Sequence, residues 1–162
     1  MTPGEGWTPK GEAATDVVLQ TFRANGLFLA AGDLLAAEER LTAARWQVLG
    51  AVVMAGGALT VPQIARRMGL TRQAVQASVN RLLREGLVEA VENPDHRRSP
   101  LIRMTEPGTR KYEAIQKRQA AWINELAAGL KRSELVTTAR VLQELSDRLD
   151  KERTRGAPQG AG

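Results

Sequence analysis

The sequence predicts a mainly α-helical chain with one small β-hairpin, an α+β fold, and three features support this prediction. Apolar residues recur at helical spacing over most of the 162 residues. Two short helical segments near the middle are joined by the turn Gly69-Leu70-Thr71. Beyond them, the turn-rich loop 93–100 separates two short apolar stretches, as in a hairpin. Two helices joined by a tight turn and followed by a hairpin form a winged helix-turn-helix.

The N-terminal third predicts two helices. Apolar residues between 13 and 39 cover a wide arc, which is typical of a helix that is buried on more than one side. Thr42 is placed to cap a second helix that runs to about residue 55 and ends at two glycines.

The helix-turn-helix follows. Thr60 and Gln63 have the spacing of a capping box, so a short helix begins there and ends at Gly69. Thr71 caps the next helix, whose apolar residues fall on one side, and Gly86 ends it.

Two strands and two long helices complete the chain. Residues 87–92 and 101–104 predict the hairpin, or wing. Thr105 caps a helix to about residue 130, and a last helix runs from 133 to about 151. Both helices carry apolar stripes at heptad-like spacing, which indicates a seam that needs a partner.

These elements predict four parts. Residues 41–104 form the winged helix-turn-helix lobe, which is flanked by helical regions 13–40 and 105–151. Residues 1–12 and 152–162 are rich in Gly and Pro with little apolar content, so we expect disordered tails.

The chemistry of the lobe indicates double-stranded DNA as the partner. A helix fits the major groove, where Arg suits guanine and Gln suits adenine. The predicted contacts on this recognition helix are its polar or small residues: Thr71, Arg72, Gln73, Gln76, Ala77, Asn80 and Arg81. The predicted wing contacts, which would reach the adjacent minor groove, are Asp95, His96, Arg97 and Arg98.

Charge agrees with this partner. The formal net charge is +5 with a pI of about 10.2. Between Thr60 and Met104 there are eight arginines, four acids and no lysine, so most of the excess lies in the lobe.

Composition argues against several other classes. The absence of cysteine excludes thiolate catalysis, cysteine zinc sites and cysteine redox switches. The single histidine, His96, lies in an exposed loop, and there is no phosphate-binding loop motif. We therefore expect no enzyme activity, no cofactor and no metal. Without a signal or an apolar span, we expect a cytoplasmic, nucleoid-associated protein that does not enter membranes.

The chain resembles the MarR (multiple antibiotic resistance regulator) family of bacterial transcriptional regulators over roughly residues 15–150. The residues that carry the resemblance lie at 41–49 and 64–75, with Leu82 and 86–88 beyond them. The most specific are Asp95-x-Arg97 and Met104-Thr105-x-x-Gly108, in which Met104 replaces the usual Leu.

The resemblance implies an obligate homodimer that reads a pseudo-palindrome, with the flanking helices as its interface. Two-fold pairing would also bury apolar helix faces that one small lobe cannot cover. Arg97 would be the wing-tip arginine, oriented by Asp95. A small aromatic or anionic effector would bind near the aromatic residues Phe22, Phe28, Trp46 and Tyr112.

The sequence thus predicts a DNA-binding regulator, a repressor released by its ligand. The alternative is a winged-helix scaffold that binds proteins and does not read DNA. The sequence does not give the operator, the regulated genes or the ligand, and it does not separate repressor from activator.

Overall fold

The computed structural model describes residues 6–156, with side chains as far as residue 152. The chain divides into two compact units, residues 1–120 and 121–162. The predicted division into a DNA-binding lobe, residues 41–104, and flanking dimerisation helices is a division by function, so it stays a prediction. Residues 152–156, which were predicted as part of the C-terminal tail, are helical. Residues 1–5 and 157–162 of the predicted disordered tails lie outside the described residues.

Helix α1, Pro9–Ala36, begins earlier than predicted. We expected residues 9–12 in a disordered tail, but Thr8 caps the helix by accepting a hydrogen bond from the Gly11 N–H at 3.1 Å, and Pro9 stands in the first turn. Residues 37–39 form a 3₁₀ turn, which ends at Arg40 with φ of 56°.

Helix α1 is joined to α2, Ala43–Met54, by close packing and one hydrogen bond. The Asp33 carboxylate accepts from the Ala43 N–H at 2.7 Å. At Gly32 an added Cβ would lie 2.9 Å from the Ala43 Cβ, so only glycine allows this approach. The end of α1 is thereby fixed against the start of α2.

The helix-turn-helix is formed by α3, Val61–Met68, and α4, Arg72–Arg84. The predicted capping box is confirmed, because Thr60 and Gln63 each accept from the other's backbone N–H. Thr71 caps α4 by accepting from the Ala74 N–H at 3.2 Å. Both helices therefore begin where their local sequence predicts.

A three-stranded antiparallel sheet lies beside these helices in the order β1-β3-β2. The predicted hairpin is confirmed as β2, Val88–Val91, and β3, Leu101–Met104, with Ala90 paired to Ile102. Strand β1, Ala58–Leu59, was not predicted. Its two residues are too few to show a strand period, and it forms only by pairing with β3.

The core of unit 1 fills the space between α2, α3, α4 and the sheet. Its fully buried large side chains are Leu49, Ile64, Leu82, Ile102, Ile115, Val48, Val52, Val75 and Val79. Burial of each such side chain contributes about 1.5–3 kcal/mol. The predicted fold class, mainly α with a small β wing, is confirmed.

Helix α5, Glu106–Leu126, starts where the sheet and α4 meet. Thr105 Oγ1 donates to the Gly86 carbonyl at 2.7 Å, and the Thr105 N–H donates to the Leu87 carbonyl at 3.1 Å. A Cβ at Gly108 would lie 2.0 Å from that Leu87 oxygen. The Thr105-x-x-Gly108 signature therefore packs the start of α5 against the backbone of Gly86 and Leu87.

Unit 2 contains the last residues of α5 and helix α6, Arg132–Gly156. Many of its apolar side chains are exposed: Ile123, Leu126, Leu130, Leu135, Val136 and Leu149. Helix α1 of unit 1 also exposes large apolar residues: Val18, Leu19, Phe22, Leu27, Phe28 and Leu34. Among the described residues, no helix has both the length and the apolar content that crossing a membrane requires.

Candidate nucleic-acid interface

The turn between α3 and α4 sets the direction of the recognition helix. Gly69 has φ of 64°, a left-handed conformation that glycine adopts without strain. The Leu70 N–H then bonds back to the Ala65 carbonyl at 3.0 Å. This compact turn leaves only three residues, 69–71, between α3 and α4.

Helix α4 buries one side and exposes the other. Val75, Val79 and Leu82 are at most 1% exposed, so they fix which side faces away from the core. All seven recognition-helix residues predicted to contact DNA are exposed. Gln76 Nε2 donates to Asn80 Oδ1 at 2.8 Å, which orders two of these side chains before any DNA arrives.

The wing loop is organised by Asn93, a residue that sequence analysis did not select. Its side chain is only 6% exposed; Nδ2 donates to the Ser99 carbonyl at 2.8 Å, and Oδ1 accepts from the Asp95 N–H at 3.1 Å. The sequence Asn93-Pro94-Asp95 at the start of the loop could have indicated this role, because an Asn side chain often accepts a hydrogen bond from the backbone N–H two residues later.

The four predicted wing residues are all exposed on this loop. Asp95 does not pair with Arg97 in the described part of the chain, where no ion pair of either residue is formed. The loop is held by Asn93 instead, so the orientation of Arg97 by Asp95 stays a prediction.

The recognition helix and the wing line one cleft of about 430 Å³. Arg72, Gln73 and Gln76 come from α4, and Arg98 and Pro100 come from the wing. Two sets of residues that are far apart in the sequence are thus brought to one surface.

Most arginines of this lobe are available for a ligand. Within residues 6–156, the arginines between 60 and 104 that form no ion pair are Arg66, Arg67, Arg72, Arg84, Arg97 and Arg98. All six are exposed, so the surface carries unneutralised positive charge.

Comparison with known proteins agrees with this geometry. A family model described as MarR family matches residues 41–99. A protein of Mycobacterium tuberculosis named only as uncharacterized is 43% identical over 137 residues, which cover 85% of this chain and 94% of that relative. The chain belongs to the MarR family. It is therefore a transcription regulator with a DNA-binding winged helix.

Two further proteins extend the comparison. The transcriptional activatory protein BadR of Rhodopseudomonas palustris is 26% identical over 144 residues, covering 86% of this chain and 82% of BadR. The crystal structure of CouR from Rhodococcus jostii RHA1, bound to p-coumaroyl-CoA, superposes with a TM-score of 0.73 at 21% identity, covering 92% and 97% of the two chains. At that identity the superposition shows a shared fold.

Three charged residues connect the recognition helix of this MarR chain to α2. Arg45 Nη1 donates to both carboxylate oxygens of Glu85, at 2.9 and 2.7 Å, and Arg81 Nε donates to Glu85 Oε1 at 2.6 Å. Partial burial raises the pKa of Glu85, but the hydrogen bonds and charges of Arg81 and Arg45 outweigh it and hold the pKa below its ordinary value. Sequence analysis missed this cluster, because 40 residues separate Arg45 from Glu85.

The four aromatic residues predicted for the MarR effector site lie in different surroundings. Phe22 and Phe28 are 70% and 54% exposed on α1. Trp46 is half-buried beside Gly32, and Tyr112 is buried with its hydroxyl accepting from Gln116 Nε2. The effector site therefore stays a prediction.

Metal chemistry has no visible site in the described chain. Residues 6–156 contain no group of three His, Cys, Asp or Glu side chains that could hold a metal ion.

Proposed function

We propose that this chain is a repressor that binds a pseudo-palindromic operator as a homodimer and is released by a small aromatic or anionic ligand. The observation that supports it best is the shared cleft, where Arg72, Gln73 and Gln76 of α4 face Arg98 of the wing. A helix in the major groove and a basic hairpin beside it can then contact the same stretch of DNA.

Exposed apolar surface supports the homodimer. Large apolar patches on a folded surface mark interaction sites, and here they lie on α1 and on unit 2. Those are the regions predicted to form the interface. Two winged lobes related by a two-fold axis would place half-sites about one turn of DNA apart, which is why the operator is proposed to be a pseudo-palindrome.

The proposals of repression and of release by a ligand are supported by the MarR family resemblance and by the ligand of one similar structure. CouR was crystallised with p-coumaroyl-CoA, a ligand that has both an aromatic ring and anionic phosphates. BadR, in contrast, is named a transcriptional activatory protein. A ligand releases the DNA only if it favours the form that does not bind DNA.

The experiment that tests the proposal compares the affinities of three arginine variants for a specific duplex and for a non-specific one. The duplex is first selected from a random-sequence library with the wild-type protein, and a shuffled duplex serves as the non-specific probe. Arg72→Ala should lose about 1–3 kcal/mol on the selected duplex and little on the shuffled one, because it would read a base. Arg97→Ala should weaken binding to both, because it would contact the backbone or the narrow groove.

Arg132→Ala is the matched control. Arg132 is exposed on α6, forms no ion pair within the described residues, and lies outside the lobe. Its loss removes the same charge and should change affinity by less than about twofold. Wild-type affinity in both Arg72→Ala and Arg97→Ala would contradict the assigned DNA interface, and failure to enrich any duplex would favour the protein-binding scaffold instead.

A further inference from the structure

Arg45, Glu85 and Arg81 form a chain of alternating charge that runs from a half-buried position on α2 to the surface of the lobe. The side chains are 14%, 28% and 60% exposed in that order. The inner end is fixed, because Arg45 Nη2 also donates to the Arg40 carbonyl at 2.9 Å. The outer end is the guanidinium of Arg81, held through Nε by Glu85 at the C-terminus of α4.

The position of Arg81 in the sequence of α4 shows on which flank of the helix it lies. At about 100° per residue, Arg81 lies roughly 180° around α4 from Arg72. Arg72 lines the cleft that faces the wing, so Arg81 is on the opposite flank. The residues between them on the exposed face include Gln73, Ala77 and Asn80.

A helix in the major groove has a phosphate backbone beside each flank. Wing residues share the cleft with Arg72 on one flank of α4, and Arg81 is a basic residue on the other. Its Nε is occupied by Glu85, while Nη1 and Nη2 form no hydrogen bond with any described residue. One N–H from each of these two terminal nitrogens, lying parallel in a planar fork, is the arrangement that suits a phosphate.

Resting on the proposed function, we infer that Glu85 and Arg45 are positioning residues that hold Arg81 for a phosphate contact on the flank of α4 opposite the wing. The negative phosphate would follow Arg81, so positive and negative groups would continue to alternate along the chain of charges. Because Glu85 already restrains the long Arg81 side chain, less rotamer freedom is lost when DNA binds.

A double-mutant cycle tests this inference. Affinities of the wild type, Glu85→Gln, Arg81→Ala and the double variant are measured by fluorescence anisotropy on the duplex selected with the wild type, at several salt concentrations. Arg81→Ala should weaken binding about tenfold and reduce the slope of log affinity against log salt by about one. Glu85→Gln should weaken binding by about threefold when Arg81 is present and have no effect when it is absent.

Glu89→Gln is the matched charge control. Glu89 pairs with Arg103 on the sheet, and its neutralisation removes the same negative charge from the lobe. Long-range electrostatics alone would make both Gln variants bind more tightly, whereas positioning predicts that only Glu85→Gln weakens binding. Thermal unfolding of each variant, followed by circular dichroism, verifies that binding is compared between folded proteins.

The inference is overturned if Glu85→Gln has the same effect with and without Arg81, if it tightens binding, or if Arg81→Ala leaves the salt slope unchanged. These outcomes are separate from failure of the proposed function. If the proposed function failed, the wild type itself would bind no duplex, and no enriched sequence would be obtained.

Discussion

At the scale of single residues, Asn93 determines whether the wing holds one conformation. Its buried amide joins both sides of the loop, through the Ser99 carbonyl and the Asp95 N–H. The His96 N–H adds a bond to the Asn93 carbonyl at 3.2 Å. Since Arg97 and Arg98 stand on this loop, their positions depend on a residue that touches no DNA in our proposal.

Replacing Asn93 with Ala should weaken DNA binding as well as the fold. Two hydrogen bonds are lost, each contributing about 0.5–1.5 kcal/mol, but the buried core is unchanged. We expect about tenfold lower affinity for the selected duplex, or about 1.4 kcal/mol. Anisotropy measures the affinity, and urea denaturation measures the free energy of unfolding.

Asn93→Ser is the informative control, because a serine hydroxyl can still accept from the Asp95 N–H, more weakly, without adding a charge, but is too short to replace the bond to the Ser99 carbonyl. It should fall between the wild type and Asn93→Ala. Wild-type affinity in the Ala variant would show that the wing does not depend on Asn93.

At the scale of elements, local signals predicted the helix starts well. Each cap of α3 and α4 needs only a threonine and a backbone N–H three residues later, so the information is contained in a few neighbouring residues. Strand β1 was missed because Ala58 pairs with Arg103, far along the chain. The start of α1 was placed too late, since the Gly and Pro content around Thr8 concealed a cap.

Two threonine caps provide a matched prediction at this scale. Thr60→Ala and Thr71→Ala each remove one side-chain cap and should each cost about 1 kcal/mol in the free energy of unfolding. Only Thr71 stands at the start of the recognition helix, so only Thr71→Ala should also lower DNA affinity several-fold. Denaturation measures the free energy of unfolding, and anisotropy measures DNA affinity at a temperature where both variants are folded. Equal losses of affinity in the two variants would contradict the assignment of α4 as the recognition helix.

At the scale of the whole molecule, the composition and the order of elements predicted the fold class and the family. They did not give the surroundings of the aromatic residues. Tyr112 enters the core while Phe22 remains 70% exposed, although both belong to apolar helical patterns. Periodicity identifies an apolar face but does not distinguish burial within the chain from burial by a second copy.

Charging one exposed apolar position should separate the two subunits of the proposed dimer. Leu19 is 52% exposed on α1, so Leu19→Asp should give a monomer and weaken operator binding, because one lobe reaches only one half-site. Light scattering after size exclusion measures the mass. Met54→Asp is the control: Met54 is 80% exposed on α2, outside the predicted interface, and its variant should stay dimeric. A monomeric wild type, or equal dissociation of both variants, would contradict the dimer.

The most direct test of a sequence-reading DNA regulator is titration of the wild type with selected and shuffled duplexes at about 50 and 200 mM salt. Six to ten phosphate contacts would lower affinity by about a thousandfold or more over that range. We expect that fall, together with tighter binding to the selected duplex at both concentrations. Failure to enrich any sequence, or an affinity that does not change with salt, would contradict the central claim.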